Sequence, residues 1–252
     1  MTTTHIDTVA HPGGAAHLVS TYATNWILLQ DDAGITLIDA GYPGNARDVT
    51  DSVRAIGGQM SDIRAGLLTH AHVDHIGGMA VLAGEHGFEV LTGADEVAHA
   101  RREHLQQATP PDIAAMIARR PSALGWLSRV LRLGVLSRRG IDDVRAFTDD
   151  ELARLPGAPV AVRSPGHTDG HVAYLVAGGR VLVTGDSLIT AHPTVSTVGP
   201  QLISRTFDHD PARTRLSVET FTGLDADVIF PGHGPIHHGP VRDAARAALD
   251  RR

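Results

Sequence analysis

Cysteine is absent from this chain of 252 residues. That excludes disulfides, thiolate nucleophiles, iron–sulfur clusters and cysteine-ligated zinc. Lysine is absent too, because all 22 basic residues are arginine. Schiff-base chemistry and the lysine of Walker phosphate loops are thereby excluded. No apolar run approaches the ~18 residues that a membrane span needs. The opening Met1-Thr2-Thr3-Thr4-His5-Ile6-Asp7 has neither the basic nor the apolar region of a secretion signal, so a cytoplasmic protein is expected. Acidic residues number 28 against 22 basic ones, a net charge of −6. That balance disfavours nucleic acid as a partner.

What is present points elsewhere. Hydrophobic residues make up 42% and charged residues 20%, enough for a full core. The length fits one layered α/β domain over residues 1–252. Histidine is abundant at 16 residues. A chain rich in histidine, with no cysteine or lysine, points to imidazole–carboxylate metal chemistry.

Along the chain, residues 1–15 read as a loose polar start. Residues 16–30 read as one or two strands, and Asp31-Asp32-Ala33-Gly34 as a hairpin turn leading into a strand at 35–39. A helix is expected over 45–56, a strand over 63–68, a helix from about 74 to 85 and a strand over 88–91. Residues 95–140 are helical in pattern and rich in arginine, with an apolar stripe of Leu124, Trp126, Leu127, Val130, Leu131, Val135 and Leu136. This insertion has three readings: a lid that accepts an acyl or anionic group, a homodimer contact, or a helix pair packed on the body. Strands then return at 160–163, 172–176 and 181–184, followed by a helix at 212–222, a strand at 227–230 and a helix at 240–250.

The densest chemistry is His70-Ala71-His72-Val73-Asp74-His75, directly after a strand. His70 and His72 are two apart and share a direction on an extended loop, whereas Asp74 and His75 point differently. One loop can therefore serve two neighbouring metal ions. Three more turns follow strand ends: Gly166-His167-Thr168-Asp169-Gly170-His171, Gly185-Asp186-Ser187 and Gly232-His233-Gly234. Their glycines force sharp turns that bring His167, Asp186 and His233 to one sheet edge.

This pattern resembles the metallo-β-lactamase-fold hydrolases over roughly residues 16–250, outside the insertion. The resemblance implies an αββα sandwich with a dinuclear metal site. By motif, His70, His72 and His167 would hold one ion, Asp74, His75 and His233 the second, and Asp186 would bridge them. Asp39 resembles the buried aspartate that braces the metal loop, and His171 is expected beside the metals without binding them. The donor set suits two divalent ions, zinc first, with iron or manganese as alternatives. A hydroxide shared by two such ions attacks a carbonyl carbon or a phosphorus. Asp74 is the expected catalytic residue, orienting the nucleophile and carrying its proton. Ser164 and Ser187 lack a nucleophile elbow.

Departures narrow the expectation. True β-lactamases place cysteine or serine where Asp186 stands. Glyoxalase II enzymes hold glutathione with basic residues, including lysines, that have no equivalent here. Many acyl-homoserine lactonases carry a tyrosine at the position of Ile189. The expected activity is hydrolysis of an ester, lactone or thioester carbonyl in a small molecule. A phosphodiesterase or nuclease of the same fold is the alternative, and a non-enzymatic metal-binding scaffold comes after it. The other histidines are expected on surfaces or turns, with His192 the best placed to touch substrate.

Overall fold

The computed structural model describes residues 4–251. Two mixed β-sheets pack face to face, and helices cover both outer surfaces. The first sheet contains β1 (His5–His11), β2 (Gly14–Ser20), β3 (Asn25–Asp31), β4 (Gly34–Ile38), β5 (Ile63–Leu67), β6 (Glu89–Thr92) and β7 (Arg145–Ala146), paired in chain order. It is antiparallel up to β4 and parallel from β4 to β7. The second sheet contains β8 (Val160–Arg163), β9 (Val172–Val176), β10 (Val181–Gly185), β11 (Val228–Pro231) and β12 (His237–His238), with β12 and β8 at its edges.

Side-chain alternation sorts each strand between two layers. Ile27 and Leu29 of β3 join Tyr174 and Phe230 of the facing sheet in the central core. Trp26 and Leu28 of the same strand point the other way, onto the helices α1 (Ala46–Ala55) and α2 (Val73–His86). Strand β3 is buried on both faces, so it reads as a continuous apolar run. The second sheet turns Leu182 and Ile229 outward onto α7 (Pro211–Thr220) and α8 (Val241–Asp250). Each fully buried side chain of this size contributes about 1.5–3 kcal/mol. Three apolar layers between four layers of structure make an αββα sandwich.

Sheet direction places the functional edge. Strand β4 runs parallel to β5, and β10 parallel to β11. Strand β8 is antiparallel to β9, which is antiparallel to β10, so β8, β10 and β11 all end on one side. The loops that follow these strands therefore share an edge, as ligand-binding loops of parallel sheets do. Bonds between the sheets there include Val172 N to Thr69 O at 2.9 Å, Tyr174 Oη to Leu68 O at 2.8 Å and Asn25 N to Gly232 O at 2.9 Å.

The structure departs from the sequence reading at three places. Residues 5–11 form β1 rather than a loose start, because the strand is held by pairing with β2 along its whole length. Only Val9 of it is buried, which leaves no apolar alternation to read. Strands β7 and β12 are too short to carry a pattern. The insertion, between β6 and β7, holds α3 (Val97–Ala100), α4 (Pro110–Arg119) and α5 (Leu124–Leu133), and the short α6 (Asp149–Leu152) follows β7. Its apolar stripe is split: Trp126 and Val130 are buried, whereas Leu124, Leu131 and Leu136 face solvent. Among the described residues no helix is long and apolar enough to cross a membrane.

Candidate metal centre

Five turns meet at the shared edge. Asp39 follows β4 in the left-handed region at φ +57°. Thr69, His70 and His72 lie between β5 and α2, whose first turn holds Asp74 and His75. This helix start is why Asp74 and His75 leave the loop in new directions. An acidic residue in a first turn also suits the helix dipole. Gly78 lets α2 approach the Ala40 backbone, where a Cβ would stand 2.1 Å from the Ala40 carbonyl oxygen. His167 lies between β8 and β9, Asp186 follows β10, and His233 follows β11. Gly232 is required beside Asp186, since a Cβ there would lie 2.2 Å from Oδ1.

These turns bring together three groups of side chains able to hold a metal ion: His70, His72 and His167; His70, His75 and Asp186; and Asp74, His75 and His233. His167 Nε2 lies 3.2 Å from His70 Nε2 and 2.9 Å from His72 Nδ1. Asp186 sits between the outer two groups. Its Oδ2 is 3.1 Å from His233 and 3.6 Å from His167, and its Oδ1 is 3.5 Å from His75. Asp74 Oδ2 lies 3.4 Å from His233 Nε2. The Asp74 side chain is 16% exposed, against 0–2% for His75, His167, Asp186 and His233. It is the open side of the cluster.

The ring nitrogens of His70, His72, His75 and His233 that face away from the cluster have partners, whereas His167 Nδ1 is buried without a hydrogen bond, 3.6 Å from Asp208. His75 Nδ1 is 2.9 Å from Asp39 Oδ2, and His233 Nδ1 is 2.8 Å from the Ala23 carbonyl. His70 Nδ1 is 3.0 Å from Thr69 Oγ1. His72 Nε2 meets the Gln106 carbonyl. Acceptors on the outside hold one ring proton of each of these four, which leaves the other nitrogen as the one that would meet a metal. Inside, His75 Nε2 and Asp186 Oδ1 are buried with no hydrogen-bond partner. Buried polar atoms are normally paired. A cation among these atoms satisfies them, so the donor set fits a metal.

Electrostatics divides the cluster. Burial, and then the neighbouring imidazoles, hold His70 well below its ordinary value. The same causes push His72 down to about 3. Both are neutral and ready to coordinate at pH 7. Burial also opposes charge on His75 and His233, but Asp186 and a second carboxylate outweigh it. His75 is raised well above its usual range and His233 to about 9. Asp74 and Asp186 resist burial through the same histidines and stay ionised, well below the usual carboxylate range.

Asp39 and His171 also lie here. Asp39 accepts from Thr69 N at 2.9 Å and from Thr69 Oγ1 at 2.7 Å, as well as facing His75. His171 places Nδ1 2.8 Å from Ser164 Oγ and accepts the Asp186 N–H at 3.2 Å through Nε2. It holds the backbone of Asp186. Ser164 is fully buried and Ser187 bonds the Thr184 carbonyl, so neither is presented as a nucleophile.

Several participants have no signal in the sequence. Glu96 is fully buried and bonds both metal loops. Burial opposes its charge, yet His99, Thr168 and Ala71 hold its carboxyl below the ordinary value. Asp208 stands 3.6 Å from His167 Nδ1 and accepts from Thr214 at 2.8 Å. Asn25 holds the His233 loop through the Pro231 and Gly234 carbonyls, at 2.9 and 2.7 Å. Burial, then the charges of Asp74 and Asp186, keep the Tyr42 hydroxyl protonated far above neutrality. Three histidines expected on surfaces or turns are buried: His17, His99 and His192. His192 sits between His233 and the insertion, edge-to-face with His233 at 4.9 Å between ring centroids and tilted against Trp126 at 5.8 Å.

The insertion leans on this edge. Met116, Trp126 and Val130 pack with Tyr42, Val73 and Phe207. Its arginines serve as ties: Arg120 donates to the Thr194 carbonyl at 2.9 Å, and Arg129 lies 4.0 Å over the Tyr22 ring.

Comparison with known proteins agrees with this fold. The sequence pattern of the metallo-beta-lactamase superfamily matches residues 19–233. A probable metallo-hydrolase of Bacillus subtilis, YflN, is 28% identical over 214 residues, covering 79% of this chain and 74% of the relative. The hydroxyacylglutathione hydrolase of Shewanella sp. is 31% identical over 170 residues, covering 66% of this chain but only 48% of that protein. Among solved structures, metallo-beta-lactamase SMB-1 superposes with a TM-score of 0.65 at 24% identity, covering 96% of this chain and 93% of that one. A Cronobacter sakazakii metallo-beta-lactamase with an HARLDQ motif gives 0.60 at 22%, covering 89% and 76%. These two structures share the fold.

Proposed function

The chain belongs to the metallo-beta-lactamase superfamily, and from that premise we propose that it is a dinuclear metal-dependent hydrolase of an ester, lactone or thioester carbonyl in a small molecule. The observation that carries the reading is the inward convergence of His70, His72, Asp74, His75, His167, Asp186 and His233, with His75 Nε2 and Asp186 Oδ1 otherwise unpartnered. Two divalent ions, zinc first, would supply Lewis acidity and a water acidified toward neutrality.

The protein's own groups do the rest. His70, His72 and His167 would hold one ion and Asp74, His75 and His233 the other, with Asp186 placed between the two groups. Asp74, on the open side, stays ionised and accepts a proton from the nucleophile before passing it to the leaving atom. Burial, and then the charge of Asp74, keep the nearby Tyr42 hydroxyl neutral. The 95–140 insertion acts as a lid on this edge, because its buried residues pack on Tyr42, Val73 and Phe207. Carbonyl substrates are favoured over phosphodiesters by the acidic net charge and by relatives that hydrolyse a hydroxyacyl compound.

The test is a panel: a long-chain acyl-homoserine lactone, S-lactoylglutathione and a bis-aryl phosphodiester, each with and without chelation. Turnover of a carbonyl substrate with kcat/KM above ~10⁴ M⁻¹s⁻¹, lost on chelation, is expected. Efficient hydrolysis of the phosphodiester alone would overturn the carbonyl assignment in favour of the nuclease-type reading.

A further inference from the structure

Ala71 is the residue between His70 and His72, and both ends of its backbone are held by charged side chains, the fully buried Glu96 and the half-buried Arg102. Its N–H donates to Glu96 Oε1 at 2.8 Å, and its carbonyl accepts from Arg102 Nη1 at 2.7 Å. Neither side chain belongs to a motif, and both come from the start of the insertion. The Glu96 side chain has no exposure at all. Its second oxygen accepts from Thr168 Oγ1 at 2.7 Å and from Gly170 N at 3.1 Å. One carboxylate thus spans the two loops that carry His70, His72 and His167. No other carboxylate among the described residues bonds both loops in this way.

A second path closes on the same histidines. Glu96 Oε1 lies 2.9 Å from His99 Nδ1, and His99 Nε2 accepts from Gln106 N at 3.4 Å. The Gln106 carbonyl meets His72 Nε2, and its side chain grips Asp169 beside His167. Arg102 reaches Ala71 from a left-handed backbone at φ +64°, a conformation a non-glycine residue keeps only when its surroundings impose it.

We propose that Glu96 and Arg102 are positioning residues for the three-histidine metal group. They clamp the Ala71 peptide from its two sides, set the directions of His70 and His72, and make the base of the insertion part of the metal site. The order of the lid base and the affinity of the first ion are therefore linked. The inference rests on the metal reading above.

The test compares wild type with Glu96→Gln and Arg102→Met in the full chain, titrated with Zn2+ against a chromophoric chelator. The step lost in His233→Ala identifies the second site. Co2+ absorption reports the geometry at the first. Partners of metal ligands typically tune affinity 10–100-fold. Glu96→Gln is expected to weaken the first ion by about tenfold or more and to shift its Co2+ band. The second ion should be held as in wild type. Arg102→Met, which keeps the stem and removes the donor, should move the same step in the same direction. Wild-type affinity at the first site in both variants would overturn the clamp. So would an equal loss at both sites with a lower melting temperature of the metal-free protein, the mark of a general packing role. Wild-type protein that holds no Zn2+ would overturn the metal reading itself, and the clamp with it.

Discussion

Asp39 Oδ2 lies 2.9 Å from His75 Nδ1, while Oδ1 accepts the Thr69 N–H at 2.9 Å. One carboxylate therefore fixes both the strand end that launches the metal loop and the ring that faces Asp186. Asparagine tolerates the left-handed backbone found here, so Asp39→Asn keeps the turn and removes the charge behind His75. Binding of the ion at His75 should weaken by about 10–100-fold, read by chelator competition. Unchanged affinity would show that Asp39 only shapes the turn.

Asp186 and His233 should behave differently on truncation. Asp186 oxygens lie within 3.6 Å of His75, His167 and His233, whereas His233 approaches only Asp74 and Asp186 among the clustered acids. Asp186→Ala should lower the content of both ions after dialysis, and His233→Ala should empty one. Elemental analysis per chain decides between them. Two tightly held ions in Asp186→Ala would remove it from the bridging position.

The metal-free protein should lose stability on the alkaline side. Asp186 raises His75 and His233, the latter to about 9, against the opposing effect of burial. A raised histidine contributes fully below its unfolded value near ~6.5 and loses that contribution as pH rises through its folded value. His70 and His72 are lowered, so their cost appears only on acidification. The melting temperature of chelator-treated protein should fall between pH 7 and 9.5, and His233→Ala should flatten that slope. A rising melting temperature over this range would reverse the assigned charges.

Trp126 ties the insertion to the site through Phe207 and His192. Trp126→Ala should cost about 3–5 kcal/mol of local packing, as truncation of a buried aromatic does. If the insertion is a lid, KM should rise more than kcat falls. An unchanged KM would make the insertion a packed appendage.

The parts of the site legible in the sequence are those encoded by local turns. His70–His75 is a dense run of ligands directly after a strand, and His167, Asp186 and His233 each sit beside a strand end with glycine punctuation. Asp39 was legible only through the family resemblance. Glu96, Asp208 and Asn25 act across tertiary contacts, and nothing in their neighbours along the chain marks them. Glu96 even reads as an ordinary acid at the start of a helical stretch. His99 and His192 looked like surface histidines because burial by the insertion is invisible without the fold. In the fold, buried strands such as β3 were legible from their apolar runs, while β1 was hidden because edge pairing asks little of its side chains.

The most direct measurement of the central claim is Zn2+ titration of chelator-stripped protein while following acyl-homoserine lactone hydrolysis. The stripped protein should be inactive, and turnover should rise until two ions per chain are bound. Full turnover by the stripped protein, or a maximum reached at one ion, would contradict the dinuclear account.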